Sequence, residues 1–115
     1  MTPCIVRTSI TRDELREMAK SHRRSMVKAV VDIERALMSV GGEMHADEEA
    51  ALLDDGSLQE NLWGINIWPD NPADDRIEFD SMINLRPSQH NNSRGVESEA
   101  TRTKIKAIVN TLVIE

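Results

Sequence analysis

Asn61-Leu62-Trp63-Gly64-Ile65-Asn66-Ile67-Trp68 and, after a loop, Ile77-Glu78-Phe79-Asp80-Ser81-Met82-Ile83-Asn84-Leu85-Arg86-Pro87 are the stretches that decide how this chain folds. In the first, Trp63, Ile65 and Ile67 alternate with Gly64, Asn66 and Trp68, the two-residue period of a strand. In the second, Ile77, Phe79, Ser81, Ile83 and Leu85 share one side, and Glu78, Asp80, Met82, Asn84 and Arg86 share the other. The Pro69-to-Asp75 stretch between them has loop composition. The two runs therefore predict an antiparallel hairpin over about 61–68 and 76–86. Pro87 ends it, because proline has no N–H to give to a ladder.

Upstream, Ser25 can cap a helix over 26–39. Lys28, Asp32, Arg35 and Ser39 then form its polar stripe, opposite Met26, Ala29, Val30, Ile33, Leu37 and Val40. Val27 to Ile33 is β-branched enough for a strand, but Val30 would break the alternation, which favours helix. Gly41-Gly42 ends that helix. Before it, Cys4 to Ile10 reads as an N-terminal edge strand, and Thr11-Arg12-Asp13-Glu14 spells a capping box for a first helix through Lys20. A break is expected at Ser21-His22-Arg23-Arg24.

Asp47 can cap a short helix over Glu48 to Leu53, and Asp55-Gly56 fits either its stop or a hairpin turn. Ser88 to Ser98 is a polar loop, and a last helix runs from about Glu99 to Val113 with Ile105, Ile108, Val109 and Leu112 buried. The expected architecture is a single α+β domain over 1–115, a small antiparallel sheet packed against three to four helices. Ile33, Leu37, Trp63, Ile65, Ile83, Leu85, Ile105, Ile108 and Leu112 should form its core.

Composition limits the function classes. At 115 residues, 39% apolar and 30% charged, the chain is globular, with room for a modest core. No apolar run approaches the ~20 residues of a membrane span, and the start lacks a secretory apolar segment. Cys4 is the only cysteine, so an internal disulfide and a cysteine zinc site are excluded. The expected compartment is the cytoplasm, and the Asn91-Asn92-Ser93 sequon reads as chance. The net charge of −6 is uneven: +3 over residues 1–42, −11 over 43–80 and +2 over 81–115. An acidic centre repels phosphate backbones, which argues against nucleic acid as a partner.

Val30-Val31-Asp32, Gly41-Gly42-Glu43-Met44-His45-Ala46-Asp47, Gly56-Ser57, Leu62-Trp63-Gly64-Ile65-Asn66 and Ile83-Asn84-Leu85-Arg86-Pro87-Ser88-Gln89 together resemble a family of small prokaryotic proteins known only as a domain of unknown function. The likeness covers roughly residues 10–114, and His22-Arg23-Arg24 departs from it. The resemblance implies a cytosolic prokaryotic protein and brings no catalytic residue.

Two constellations could carry chemistry. Glu43, His45 and Asp47 would project to one side of an extended segment as an N/O metal face. The competing reading has Asp47 capping a helix and His45 packing beside it, and we expect no bound metal. The second is the polar side of the hairpin with its loop, where Asp80, Asn84, Arg86, Ser88 and Arg94 would receive an anion through an arginine fork and small donors. Nucleotide-binding glycine motifs and G-x-S-x-G are absent, and no cofactor is expected. The favoured reading is a binding or interaction domain whose partner is a small anion, another protein or a second copy. The alternative is a small hydrolase-like enzyme using His45, Asp47 and Asp80, with Arg86 as anion clamp.

Overall fold

The computed structural model describes residues 2–115. β1 (Cys4–Val6) and β2 (Ile10–Thr11) lead into α1 (Arg12–Ser21). The hairpin β3 (Val27–Asp32) and β4 (Leu37–Val40) follows, then α2 (His45–Asp54), β5 (Leu62–Ile67) and β6 (Ile77–Glu78). The chain closes with α3 (Glu99–Leu112) and β7 (Val113–Ile114). The fold is α+β: a five-stranded sheet in the order β1-β4-β3-β5-β6, antiparallel at every step, with three α-helices. β2 and β7 add a short parallel pair beside it.

Local signals hold where the structure is local. Thr11 Oγ1 accepts from the Glu14 N–H at 3.1 Å, and Glu14 reaches back to Thr11 N, the reciprocal box read from the sequence. The break after α1 comes at Arg23, which adopts φ 57°. The Ser57 N–H bonds the Leu52 carbonyl and the Gly56 N–H bonds that of Leu53, so Asp55-Gly56 is a helix stop, with Gly56 at φ 104°. Ser98 caps α3 through the Thr101 N–H. β1 is an N-terminal edge strand as expected, but it stops at Val6, and Ile10 belongs to β2 instead.

The helix expected over 26–39 is instead β3, a turn and β4. The reason lies in the position of β3 within the sheet. It pairs with β4 on one side and β5 on the other, and both of its faces are covered. Val27, Ala29 and Val31 pack on the side of α1 and α3, while Val30 packs on the side of α2. A strand buried on both faces need not alternate, so Val30 is no objection to it. Ser25 is therefore not a helix cap. Asp32 turns the hairpin, its Oδ1 accepting from Glu34 N at 2.9 Å and Arg35 N at 3.0 Å, and Ala36 takes φ 55°.

The second arm of the expected hairpin is also corrected. β5 and β6 do pair antiparallel, but β6 is only two residues long. The chain then leaves the sheet, and Met82–Asn84 and Pro87–Gln89 are single 3₁₀ turns. Asp80, Asn84 and Arg86 thus do not share a strand face. Leu85 is 45% exposed, and Ile33, Ile83 and Ile108 are only half-buried, whereas Leu37, Trp63, Ile65, Ile105 and Leu112 are core as expected. Asp47 does not cap α2 either, because the helix begins two residues earlier, at His45.

Candidate functional site

The two faces of the sheet differ. Toward α1 and α3 lie Val6, Val27, Ala29, Val31, Met38, Val40, Trp63, Ile65 and Ile67, an apolar layer sealed by Leu15, Ile105, Val109 and Leu112. Toward α2 the apolar core is small: Val30, Leu37, Leu52 and Leu62. On this side the buried set includes Ser39, His45, Glu48, Asn66, Ser81 and Asn84. Chemistry-bearing groups therefore gather on the α2 side.

A cavity of about 170 Å³ opens there, at the start of α2. Lys28, His45, Ala46, Ser81 and Arg94 line it, with an apolar wall of Met44, Met82 and Ile83. Lys28 arrives from β3, opposite Asn66 of β5. Among the described residues it makes no ion pair, although it is half-buried. Arg94 donates from Nε to Asp80 Oδ1 at 2.7 Å. Met44 occupies the capping position of α2 and supplies no side-chain acceptor, so the positive end of the helix faces the cavity wall without a cap.

Two buried titratable groups sit at this helix start. His45 Nε2 lies 2.7 Å from the Ile65 carbonyl oxygen, which only an N–H can satisfy. Burial lowers the His45 pKa, against the opposite pull of that carbonyl, so the ring is neutral at pH 7 with Nδ1 as its acceptor. Glu48 is fully buried, and burial raises its pKa to about 9, opposed by the Gly42 N–H that donates to Oε2 at 3.2 Å. It is therefore a neutral acid at pH 7, and it does not cancel the charge of Lys28.

Beside the cavity, side chains close the outer edge of β5. β6 covers only Asn66 and Ile67. Farther back, Asn84 takes the strand's place: its Oδ1 accepts from Gly64 N at 2.8 Å, and its Nδ2 donates to the Gly64 carbonyl at 2.9 Å and to that of Arg94 at 2.9 Å. Arg86 continues the edge, donating to the carbonyls of Leu62 and of Gln59, the latter at 2.7 Å. Its guanidinium also lies over the Trp63 ring, 4.3 Å from the centroid. Gly64 permits this closure, since a Cβ there would come within 2.6 Å of Ser81 Cβ and Oγ.

The residues singled out in the sequence are thus distributed. Arg94 and Asp80 pair at the cavity, Asn84 and Arg86 bind the β5 edge, and Ser88 is exposed on the Pro87–Gln89 turn. Of the hydrolase set, His45 lines the cavity and feels the charge of Asp80, while Asp47 and Arg86 do not line it. Glu43 is exposed, and its carbonyl accepts from Arg24. Among the described residues, no three His, Cys, Asp or Glu side chains come together as a metal site. Lys28 and Ser81 were missed by sequence reasoning. Lys28 was assigned to a helical stripe, and only the two-residue period, Lys28-Val30-Asp32, would have turned it toward α2.

The chain is thus an α+β protein with an antiparallel sheet, apolar on one side and carrying a small polar cavity on the other. It belongs to a family described as "Protein of unknown function (DUF5674)", whose profile matches residues 4–112. No curated protein and no solved structure matches it. Among the described residues, no helix is long and apolar enough to cross a membrane.

Proposed function

We propose that this protein is a binding domain that receives a small anionic group, a carboxylate or phosphate, in the cavity at the start of α2. The observation that carries this reading is Lys28, a half-buried ammonium without an ion-pair partner that lines the cavity together with Arg94 and the uncapped start of α2. Cations and a helix N-terminus attract the same sign of charge; neutral Glu48 does not oppose it, and the Asp47 carboxylate of the first turn is exposed to solvent. Ser81 and His45 add polar groups, and Met44 and Met82, 61% and 62% exposed, offer an apolar wall for the rest of a ligand or partner. Of the five residues first singled out for anion binding, Arg94 lines this site and Asp80 pairs with it, Asn84 and Arg86 bind the β5 edge beside it, and Ser88 lies exposed on the 87–89 turn.

A single-domain organisation is supported by the packing of all three helices around one sheet. An exposed free Cys4 suits a reducing compartment and supports a cytoplasmic home. The overall charge of −6 argues against nucleic acid as the anion's source. The test is a titration with inorganic phosphate and with short carboxylates, followed through backbone amide resonances. Saturable shifts at residues 44–47 and 81–83 are expected, lost in Lys28→Met and retained in Arg86→Met. Equal binding by Lys28→Met would overturn the reading.

A further inference from the structure

The cavity at the start of α2 makes a second demand on its ligand besides charge. His45 is 7% exposed and lines this cavity from the first position of the helix. Its Nε2–H is taken by the Ile65 carbonyl at 2.7 Å, which fixes the ring and leaves Nδ1 with a lone pair. Among the described residues no donor reaches Nδ1, and Nδ1 is not one of the polar atoms sealed from solvent without a partner. What stays open on this nearly buried ring thus includes its acceptor. An oxyanion without a proton of its own has nothing to give that lone pair. Bound here it would displace the water that serves Nδ1, and an orphaned acceptor is unfavourable. A ligand with a hydroxyl beside its charge matches both groups.

The remaining walls narrow what carries the hydroxyl. Lys28 and Arg94 put positive charge in the same cavity, which favours an anionic head and disfavours an ammonium as the donor. Met44, Met82 and Ile83 form an apolar wall, and methionine stems adapt to alkyl groups of varied shape. Hydrogen phosphate offers charge and a donor but no apolar part. The volume of about 170 Å³ limits the ligand to a few carbons. Two rival acceptors are less suited: Ser81 Oγ already accepts from the Ile83 N–H at 3.3 Å, and the Asp80 carboxylate, held by Arg94, does not line the cavity.

We propose that the ligand is a short 2-hydroxy carboxylate and that His45 selects its hydroxyl, an inference that rests on the anion-binding reading of this cavity. The carboxylate meets Lys28 and the start of α2, the hydroxyl donates to His45 Nδ1, and the alkyl group lies on Met44 and Met82.

Lactate and propionate differ by that hydroxyl alone. Titrated at pH 7.5 and followed at the backbone amides of residues 44–47, the better-bound enantiomer of lactate should bind about three- to tenfold tighter than propionate, the worth of one hydrogen bond. Alanine, with an ammonium in place of the hydroxyl, should bind more weakly than lactate. His45→Phe keeps a ring in place and removes the acceptor, so lactate and propionate should bind it within about twofold of each other. Circular dichroism checks its fold, and the wild-type pair decides alone if that variant does not fold. Equal affinity of the wild type for lactate and propionate, a lactate preference that survives in folded His45→Phe, alanine binding as tightly as lactate, or phosphate binding without lactate binding would overturn this inference and leave the anion reading standing. No saturable binding of lactate, propionate or phosphate would overturn both.

Discussion

The side of the sheet facing α1 and α3 and the side facing α2 are built to different rules. The first buries aliphatic residues with one indole. The second buries two acids, an imidazole, two hydroxyls and two amides around four aliphatic residues. Buried polar groups cost stability unless each is matched, whereas aliphatic packing has no such condition. The α1/α3 side therefore supplies stability, and the α2 side gives up some of it to hold groups that can bind. The cavity at the start of α2 falls on the side where that concession is made.

Three substitutions would break or sharpen this contrast. The largest effect belongs to the aliphatic side. Ile65→Ala removes a fully buried side chain from the centre of β5 and should cost about 2–5 kcal/mol in denaturant unfolding. Phosphate binding by the remaining folded protein should be unchanged, because Ile65 points away from α2. A loss of binding at full folding would mean that the two sides are not separable.

Asn84→Ala tests the polar edge. It leaves both the N–H and the carbonyl of Gly64 without their partner, as well as one bond to the Arg94 carbonyl, and should cost about 2–4 kcal/mol. Hydrogen exchange should quicken at Gly64 and little at Val31, which sits on the regular ladder with Trp63 and Met38. Uniform quickening would show that Asn84 supports the whole sheet rather than one edge.

Glu48→Gln should stabilise the protein, by about 1–3 kcal/mol at pH 7. Its folded pKa of about 9 stands above the ordinary 4.5, so between these values the folded state holds a proton that the unfolded chain has released. Stability is then lost as pH rises through that window, by about 1.4 kcal/mol per unit. His45 has the opposite sign: its lowered pKa costs stability as pH falls below its ordinary 6.5. Thermal unfolding between about pH 7 and 9 isolates Glu48, since His45 is neutral there in both states. The wild type should fall with pH in this range and Glu48→Gln should hold level. Parallel curves would mean that Glu48 is ionised in the folded protein.

Both strands of this contrast were only partly legible beforehand. Leu62 to Ile67 announced itself because one face is apolar by pattern. Val27 to Asp32 did not, because its second face is covered by α2, and residues far along the chain decide whether Val30 is inside. The proposed anion site was hidden by the same reading. With 26–39 read as helix, Lys28 belonged to a solvated stripe, and Arg86 was the most prominent cation left near a strand end. The role of Asn84 was equally out of reach, since an amide that stands in for a strand has no period.

What the sequence determined alone are the features that close within a few residues. These are the Thr11–Glu14 box, the start of the last helix at Glu99, the alternation of β5 and the acidic centre. Each depends on a hydrogen bond or a period that a short window contains. Tertiary structure decided whether residues 27–40 are hairpin or helix, which groups are neutralised by burial, and which cations are left without partners. Those outcomes turn on surfaces brought together from distant parts of the chain, where burial outweighs local propensity.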